Sequence, residues 1–308
     1  MLGLLPLLAG CAPEPATVAF DLLETPRERS WLPAAPPETV ILALHGFNDY
    51  SNAFDEFGSH AAGRGVAVYA FDQRGFGANA DAGYWPGAAA LIEGLRERVE
   101  ELRAAHPEAR LFLLGESMGA AVVMAAMTAP EPPEVDGLVL SAPAVWGGEQ
   151  LNPVYRATLW LAGRVVPDLR LTGQGLKRQA SDNIEMLRAL GADPLVIKAT
   201  RVAAISGLVR LMDRAYAAAA RLEGPLLILG GARDEIVPPD ALSATLDRIE
   251  ASPCHEIIYP DGWHLLLRDQ QRHVVFEDVL AWLEGAPPPS GLDRPCGADL
   301  TQDAAWRS

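Results

Sequence analysis

Residues Arg110 to Met127 read RLFLLGESMGAAVVMAAM, and the rest of the chain is organised around this stretch. Leu111 to Leu114 is an apolar run with the length and composition of a strand buried on both faces. The small residues from Met118 onward predict a helix that follows without a linker. Between them lies Gly115-Glu116-Ser117-Met118-Gly119, a G-x-S-x-G at a strand-to-helix turn. So sharp a turn crowds the positions two before and two after the serine, which is why both are glycine, and it forces the serine into strained backbone angles. Ser117 is therefore expected at the carboxyl edge of a sheet as an exposed nucleophile. The helix starting beside it points unpaired N–H groups and a positive dipole end toward any oxyanion formed there.

The remaining apolar runs extend the same architecture. Val40 to Leu44, Val66 to Phe71, Gly137 to Ser141, Pro225 to Leu229 and Glu256 to Tyr259 read as buried strands, and Ala88 to Ala105 as an amphipathic crossover helix. Short strands of this kind alternating with helices imply an α/β fold with a mostly parallel central sheet covered on both faces. Shorter antiparallel strands are expected near Thr17 to Leu23 and Arg29 to Leu32. About eighty residues separate the strand ending near Ala142 from the one starting at Pro225, far more than one crossover needs. That interval is apolar at Trp146, Leu151, Tyr155, Leu159 and Trp160, and Pro153, Pro167 and Pro194 divide it into short helical pieces. The expected organisation is a core of residues 12–144 and 203–285, a helical cap of 145–202, and a flexible Pro-rich tail of 286–308.

A serine needs a base that a third group orients. Two strand exits carry such groups: Gly231-Ala232-Arg233-Asp234-Glu235, and Asp261-Gly262-Trp263-His264. Asp234 and His264 thus emerge at the edge that bears Ser117, in the chain order Ser, Asp, His. Glu235, Asp261 and Asp240 are rival acids, although Asp240 follows Pro238-Pro239 and reads as a first-turn residue of a helix. His45 lies in an H-G turn and reads as a buttress of that loop; the other four histidines fall in polar or helical surroundings. Two backbone donors are expected for the oxyanion, the N–H groups of Met118 and Phe47.

Composition bounds the partners. The chain has 308 residues, 49% of them hydrophobic, and a net charge of −15, which excludes a nucleic-acid partner because phosphate binding needs clustered Lys and Arg. No metal-ligand cluster, C-x-x-C pair or phosphate-binding glycine loop appears, so no cofactor is expected. The opening MLGLLPLLAG is too short to span a bilayer. Leu8-Ala9-Gly10-Cys11 resembles the lipobox of bacterial lipoproteins, which implies lipid attachment at Cys11 and an exported, membrane-anchored protein. No Lys or Arg precedes it, a departure from that pattern, and a cytoplasmic protein is the alternative. Cys254 and Cys296 either bridge, pinning the tail to the domain in an oxidising compartment, or stand as two unrelated thiols.

As a set, HGFND, DQRGFG, GESMG, GGARDEIVPP and DGWH resemble the α/β-hydrolase superfamily, and within it the monoacylglycerol lipase and lysophospholipase branch. The similarity runs from Thr39 to Glu284, and SDNIEMLRALGADPLVIK resembles the cap of that branch. Asn79-Ala80 departs from the serine usual after the glycine turn. The resemblance implies carboxylic-ester hydrolysis through an acyl-enzyme, with Ser117 attacking, His264 shuttling the proton and Asp234 holding the imidazole. A small ester or single-chain lipid is the implied substrate. Short-chain esterase or amidase chemistry, and a catalytically silent binding protein on this fold, are the alternatives.

Overall fold

The computed structural model describes residues 27–147, 152–173, 178–250 and 253–297. Its elements in chain order are β1 (Glu28–Trp31), β2 (Thr39–Leu44), α1 (Asp55–Gly63), β3 (Val66–Phe71), α2 (Ala88–Ala105), β4 (Arg110–Glu116), α3 (Met118–Met127) and β5 (Gly137–Ser141). The insertion follows, with α4 (Pro153–Val165), β6 (Arg170–Thr172), α5 (Ile184–Ala192) and β7 (Ala199–Arg201). The chain then returns through α6 (Val202–Ala218), β8 (Leu226–Gly231), α7 (Pro239–Leu246), β9 (Cys254–Tyr259), α8 (Arg272–Leu283) and β10 (Asp293–Pro295). Cys11 and Thr17 to Leu23 lie outside the described residues.

Among the described residues, eight strands form one sheet in the order β1-β3-β2-β4-β5-β8-β9-β10. The six inner strands are parallel, and β1 and β10 close the two edges antiparallel to β3 and β9. Successive side chains of a strand point to opposite faces, so each run supplies two cores. Val40, Leu42, Leu111 and Leu113 pack under α2, α3, α6 and α7, whereas Ile41, Ala43, Phe112 and Leu114 pack against α1 and α8. From β2 the chain steps outward to β3 and then crosses back to β4 on the other side of β2. The loops after β2 and β4 therefore diverge around a crevice at the carboxyl ends of the strands, the place where open α/β sheets bind ligands.

Two expectations need correction. The insertion is not only helical: β6 and β7 pair antiparallel within it, Leu171 opposite Thr200. The tail is not free of structure from residue 286. Pro295 pairs with His255, Cys296 is disulfide-bonded to Cys254, and Arg294 Nε donates to the buried Glu256 Oε1 at 2.6 Å. Composition pointed to a loose tail because proline and polar residues carry no periodicity, whereas a covalent link and a charge-assisted hydrogen bond hold a strand that has little apolar surface to bury. The bridge spans 42 residues. Cys254→Ser/Cys296→Ser is expected to lower unfolding free energy by up to about 4 kcal/mol, the loop-entropy limit for that separation, as read by urea denaturation with and without reductant.

Candidate active site

Ser117 sits at φ 54°, ψ −112°, outside the regions that non-glycine residues ordinarily occupy. Its N–H donates to Ser141 O at 2.9 Å and its carbonyl accepts from Ala144 N at 3.0 Å, so neighbouring backbone holds the strained residue in place. A Cβ on Gly115 would overlap the backbone of Ala120, and one on Gly119 would overlap the carbonyl of Leu44. Neither obstacle is a flexible side chain. Gly119→Ala must displace the end of β2, and a stability loss of about 1–3 kcal/mol is expected, the usual scale of overpacking. Thermal melting checks this; an unchanged midpoint would mean the turn has slack.

The Ser117 Oγ lies 2.9 Å from His264 Nε2, and His264 Nδ1 lies 2.8 Å from Asp234 Oδ2. The other carboxylate oxygen of Asp234 accepts from Ile236 N at 2.7 Å and Val237 N at 3.0 Å. These two bonds fix the carboxylate plane and leave Oδ2 for the imidazole. Nδ1–H then donates to Asp234, which makes Nε2 the acceptor facing the serine hydroxyl. Burial opposes charge on His264, but Asp234, and after it Glu116, outweigh burial, so the ring titrates above its ordinary value. The rival acids are engaged elsewhere. Asp261 pairs with Arg233 at the surface, Glu235 Oε2 accepts from Gln179 N at 2.7 Å, and Asp240 lies in the first turn of α7.

The loop after β2 lies over Ser117: a Cβ on Gly46 would stand 3.5 Å from Ser117 Cβ. His45 anchors this loop. Its Nδ1–H donates to Gly46 O at 2.8 Å and its Nε2 accepts from Gln73 N at 3.0 Å, while Gln73 Nε2 donates to His45 O at 2.8 Å. Burial lowers the His45 pKa and keeps the ring neutral, as that donor and acceptor pattern requires. Phe47 follows, its ring edge-on to Phe76. Met118 opens α3, where the first N–H groups of a helix have no intrahelical acceptor.

Sequence reasoning missed the charged groups beneath these loops. Arg268, which is buried, donates from Nη1 to Asp49 Oδ2 at 2.7 Å and from Nη2 to Glu116 Oε1 at 2.6 Å. The insertion also grips the histidine loop. Leu265 N donates to Ala180 O at 3.0 Å, Ser181 Oγ to Asp269 Oδ1 at 2.6 Å, and Asn183 Nδ2 to Arg268 O at 2.9 Å. A charge inside each of two apolar runs, Glu116 and Arg268, was the only available signal.

A cavity of about 420 Å³ opens on Ser117 and His264. Trp146, Leu190, Val196, Leu208, Met212 and Ile236 make its wall predominantly apolar, with walls drawn from both the insertion and the sheet's loops. Among the described residues, no group of His, Cys, Asp or Glu is placed to hold a metal ion.

The sheet, the nucleophile turn and the cavity define an α/β-hydrolase of the serine type. The chain belongs to the family described as Hydrolase_4, serine aminopeptidase S33, which matches residues 35–271. It is 28% identical over 261 residues to a monoacylglycerol lipase of Mycolicibacterium smegmatis, covering 82% of this chain and 90% of that protein. With the human monoglyceride lipase it shares 24% identity over 273 residues, 87% of this chain and 89% of that one. The crystal structure of the Paleococcus ferrophilus monoacylglycerol lipase superposes with a TM-score of 0.72 at 24% identity, covering 85% of this chain and 99% of that chain.

Proposed function

We propose that this protein hydrolyses the carboxylic ester of a monoacylglycerol or a similar single-chain lipid through an acyl-enzyme on Ser117. The observation that carries the reading is the chain of hydrogen bonds from Asp234 through His264 to Ser117, at the mouth of an apolar cavity. His264 takes the hydroxyl proton as Ser117 attacks the ester carbonyl and returns it to the leaving alcohol. Water then repeats the cycle on the acyl-enzyme. The N–H groups of Met118 and Phe47 receive the oxyanion. Residues 145–202 act as the cap, supplying Trp146, Leu190 and Val196 to the acyl chain. The relatives named as monoacylglycerol lipases support the ester over the peptide chemistry that the family description names.

The test is a panel of p-nitrophenyl esters from two to sixteen carbons, monoacylglycerols, lysophospholipids and peptide anilides. Highest kcat/KM is expected on esters with medium or long acyl chains; a preference for anilides or for acetate would reverse the substrate assignment. Because His264 must be neutral to accept a proton and its pKa is raised, activity is expected to fall as pH drops through a midpoint above about 6.5. A kcat/KM profile with its acid limb well below that value would show that another group is the base. Phe47 donates through its backbone, so Phe47→Ala is expected to cost less than the roughly 10²–10³-fold that follows loss of an oxyanion donor, as read by kcat at saturating ester.

The surface supports a membrane setting for the substrate. The described part of the chain has no helix long and apolar enough to cross a membrane. Yet α4 exposes Val154, Tyr155, Trp160, Leu161 and Val165, and it carries Arg156 and Arg164 without an acidic residue. These exposed apolar side chains together with the two arginines suit an anionic lipid surface. The disulfide suits an oxidising compartment, in keeping with export and lipid attachment at Cys11.

A further inference from the structure

Four loops carry the proposed machinery, and one side chain joins three of them. Arg268 stands four residues beyond His264, at the end of a run that is otherwise Leu265-Leu266-Leu267. Its guanidinium reaches Asp49 in the loop that follows β2 and Glu116 in the nucleophile turn, each through a separate nitrogen. Asp49 is itself fixed to its loop, since its Oδ1 accepts from Tyr50 N at 2.9 Å and its N–H donates to Gly46 O at 3.3 Å. The planar fork of an arginine sets two carboxylates at fixed positions in a way that a lysine point charge does not.

Glu116 is fully buried and immediately precedes Ser117. One of its oxygens meets Arg268, while Oε2 accepts from no protein donor among the described residues. A buried carboxylate is costly to keep and calls for an explanation. Two carboxylates, Asp49 and Glu116, share one cation in Arg268; burial raises the Glu116 pKa and Arg268 works against that rise, so with Glu116 ionised this cluster carries a net negative charge beside the site while His264 is neutral. That imbalance is offset when His264 becomes an imidazolium, which happens as Ser117 attacks.

We propose that Arg268 is a positioning residue that locks the loop after β2, the nucleophile turn and the histidine loop into one unit, and that Glu116 supplies a second counter-charge to His264 as it takes the serine proton. The charged groups acting on His264 are Asp234, Glu116 and Arg268, the first two favouring the protonated ring and the last opposing it. This proposal rests on the Ser117-His264-Asp234 assignment and adds to it.

The experiment is the pH dependence of kcat and KM on a p-nitrophenyl ester for wild type, Glu116→Gln, Arg268→Lys and Arg268→Met, with fluorophosphonate labelling of each. For Glu116→Gln, kcat is expected to fall roughly tenfold, with the acid limb displaced to lower pH by up to about one unit, since one unit corresponds to a tenfold change in the protonation equilibrium. KM should stay within about twofold. Arg268→Lys keeps the charge and loses the fork, so kcat falls while the acid limb stays. Arg268→Met removes both the fork and the cation that keeps the buried Glu116 ionised, so kcat is expected to fall by about 10²-fold, the scale of a small misplacement of reacting groups. If Arg268→Met does not fold, Glu116→Gln and Arg268→Lys decide the matter alone. An unmoved acid limb in Glu116→Gln, or a thermal loss without a kinetic one, overturns the counter-charge; full kcat in Arg268→Lys overturns the positioning role. Failure of wild type to label would instead overturn the triad itself.

Discussion

Ser117→Ala is expected to lose turnover by about 10⁵–10⁶-fold, the scale seen when the nucleophile of a serine hydrolase is removed. The structure makes the loss specific. The hydroxyl alone is lost, since alanine keeps the Cβ that faces Gly46 and the backbone bonds to Ser141 and Ala144 do not involve the side chain. Relief of the positive φ is not offered by alanine either, so fold and stability should stay near wild type. Whatever acceleration survives comes from the oxyanion donors and from binding. Two measurements on purified protein decide it: p-nitrophenyl ester turnover and fluorophosphonate labelling. Wild-type labelling that disappears in the variant identifies the nucleophile. More than one part in a hundred of wild-type turnover would place the nucleophile elsewhere, and a wild type that never labels would favour the silent binding protein.

Asp234→Asn is expected to lower kcat by about 10⁴-fold while leaving the fold intact, because the same substitution in a serine triad installs the wrong imidazole tautomer. Here Asp234 Oδ1 is held by two backbone N–H groups, so an asparagine keeps its oxygen there and turns its NH₂ toward His264 Nδ1. The ring must then carry its proton on Nε2 and can no longer accept from Ser117. The raising influence of Asp234 on His264 is also lost, so residual activity should extend to lower pH. Asp261→Asn is the contrast. Its carboxylate meets Arg233 at an exposed position, and an exposed pair contributes little, so its kcat should stay within about twofold. Equal losses in the two variants would return the choice of acid to the open alternatives.

These expectations draw on different depths of information. The strands under the site were legible because a parallel sheet buries both strand faces and leaves continuous apolar runs such as Val66 to Phe71. The nucleophile turn was legible because two glycines at fixed spacing answer a steric demand that no other residue meets. His264 and Asp234 were legible one step further on, as polar residues at strand exits. The contacts between the insertion and the histidine loop left no such trace. Ser181 meets Asp269 and Asn183 meets the carbonyl of Arg268 across 88 and 85 residues of chain, and a hydrogen bond between distant segments imposes no periodicity on either. Strand β10 was hidden for the same reason, since Cys296 and Arg294 hold it to β9 rather than any alternation of its own three residues.

The sequence by itself determined the sheet, the sharp turn at Ser117 and the order of the proposed catalytic groups, because burial and backbone sterics act locally and select residue types position by position. Only the tertiary structure decided that Asp234 rather than Asp261 or Glu235 faces the imidazole, that Cys254 meets Cys296, and that Arg268 spans Asp49 and Glu116. Those outcomes depend on the directions in which separate loops leave one sheet edge, and direction is set by packing against the rest of the molecule rather than by the residues of the loop.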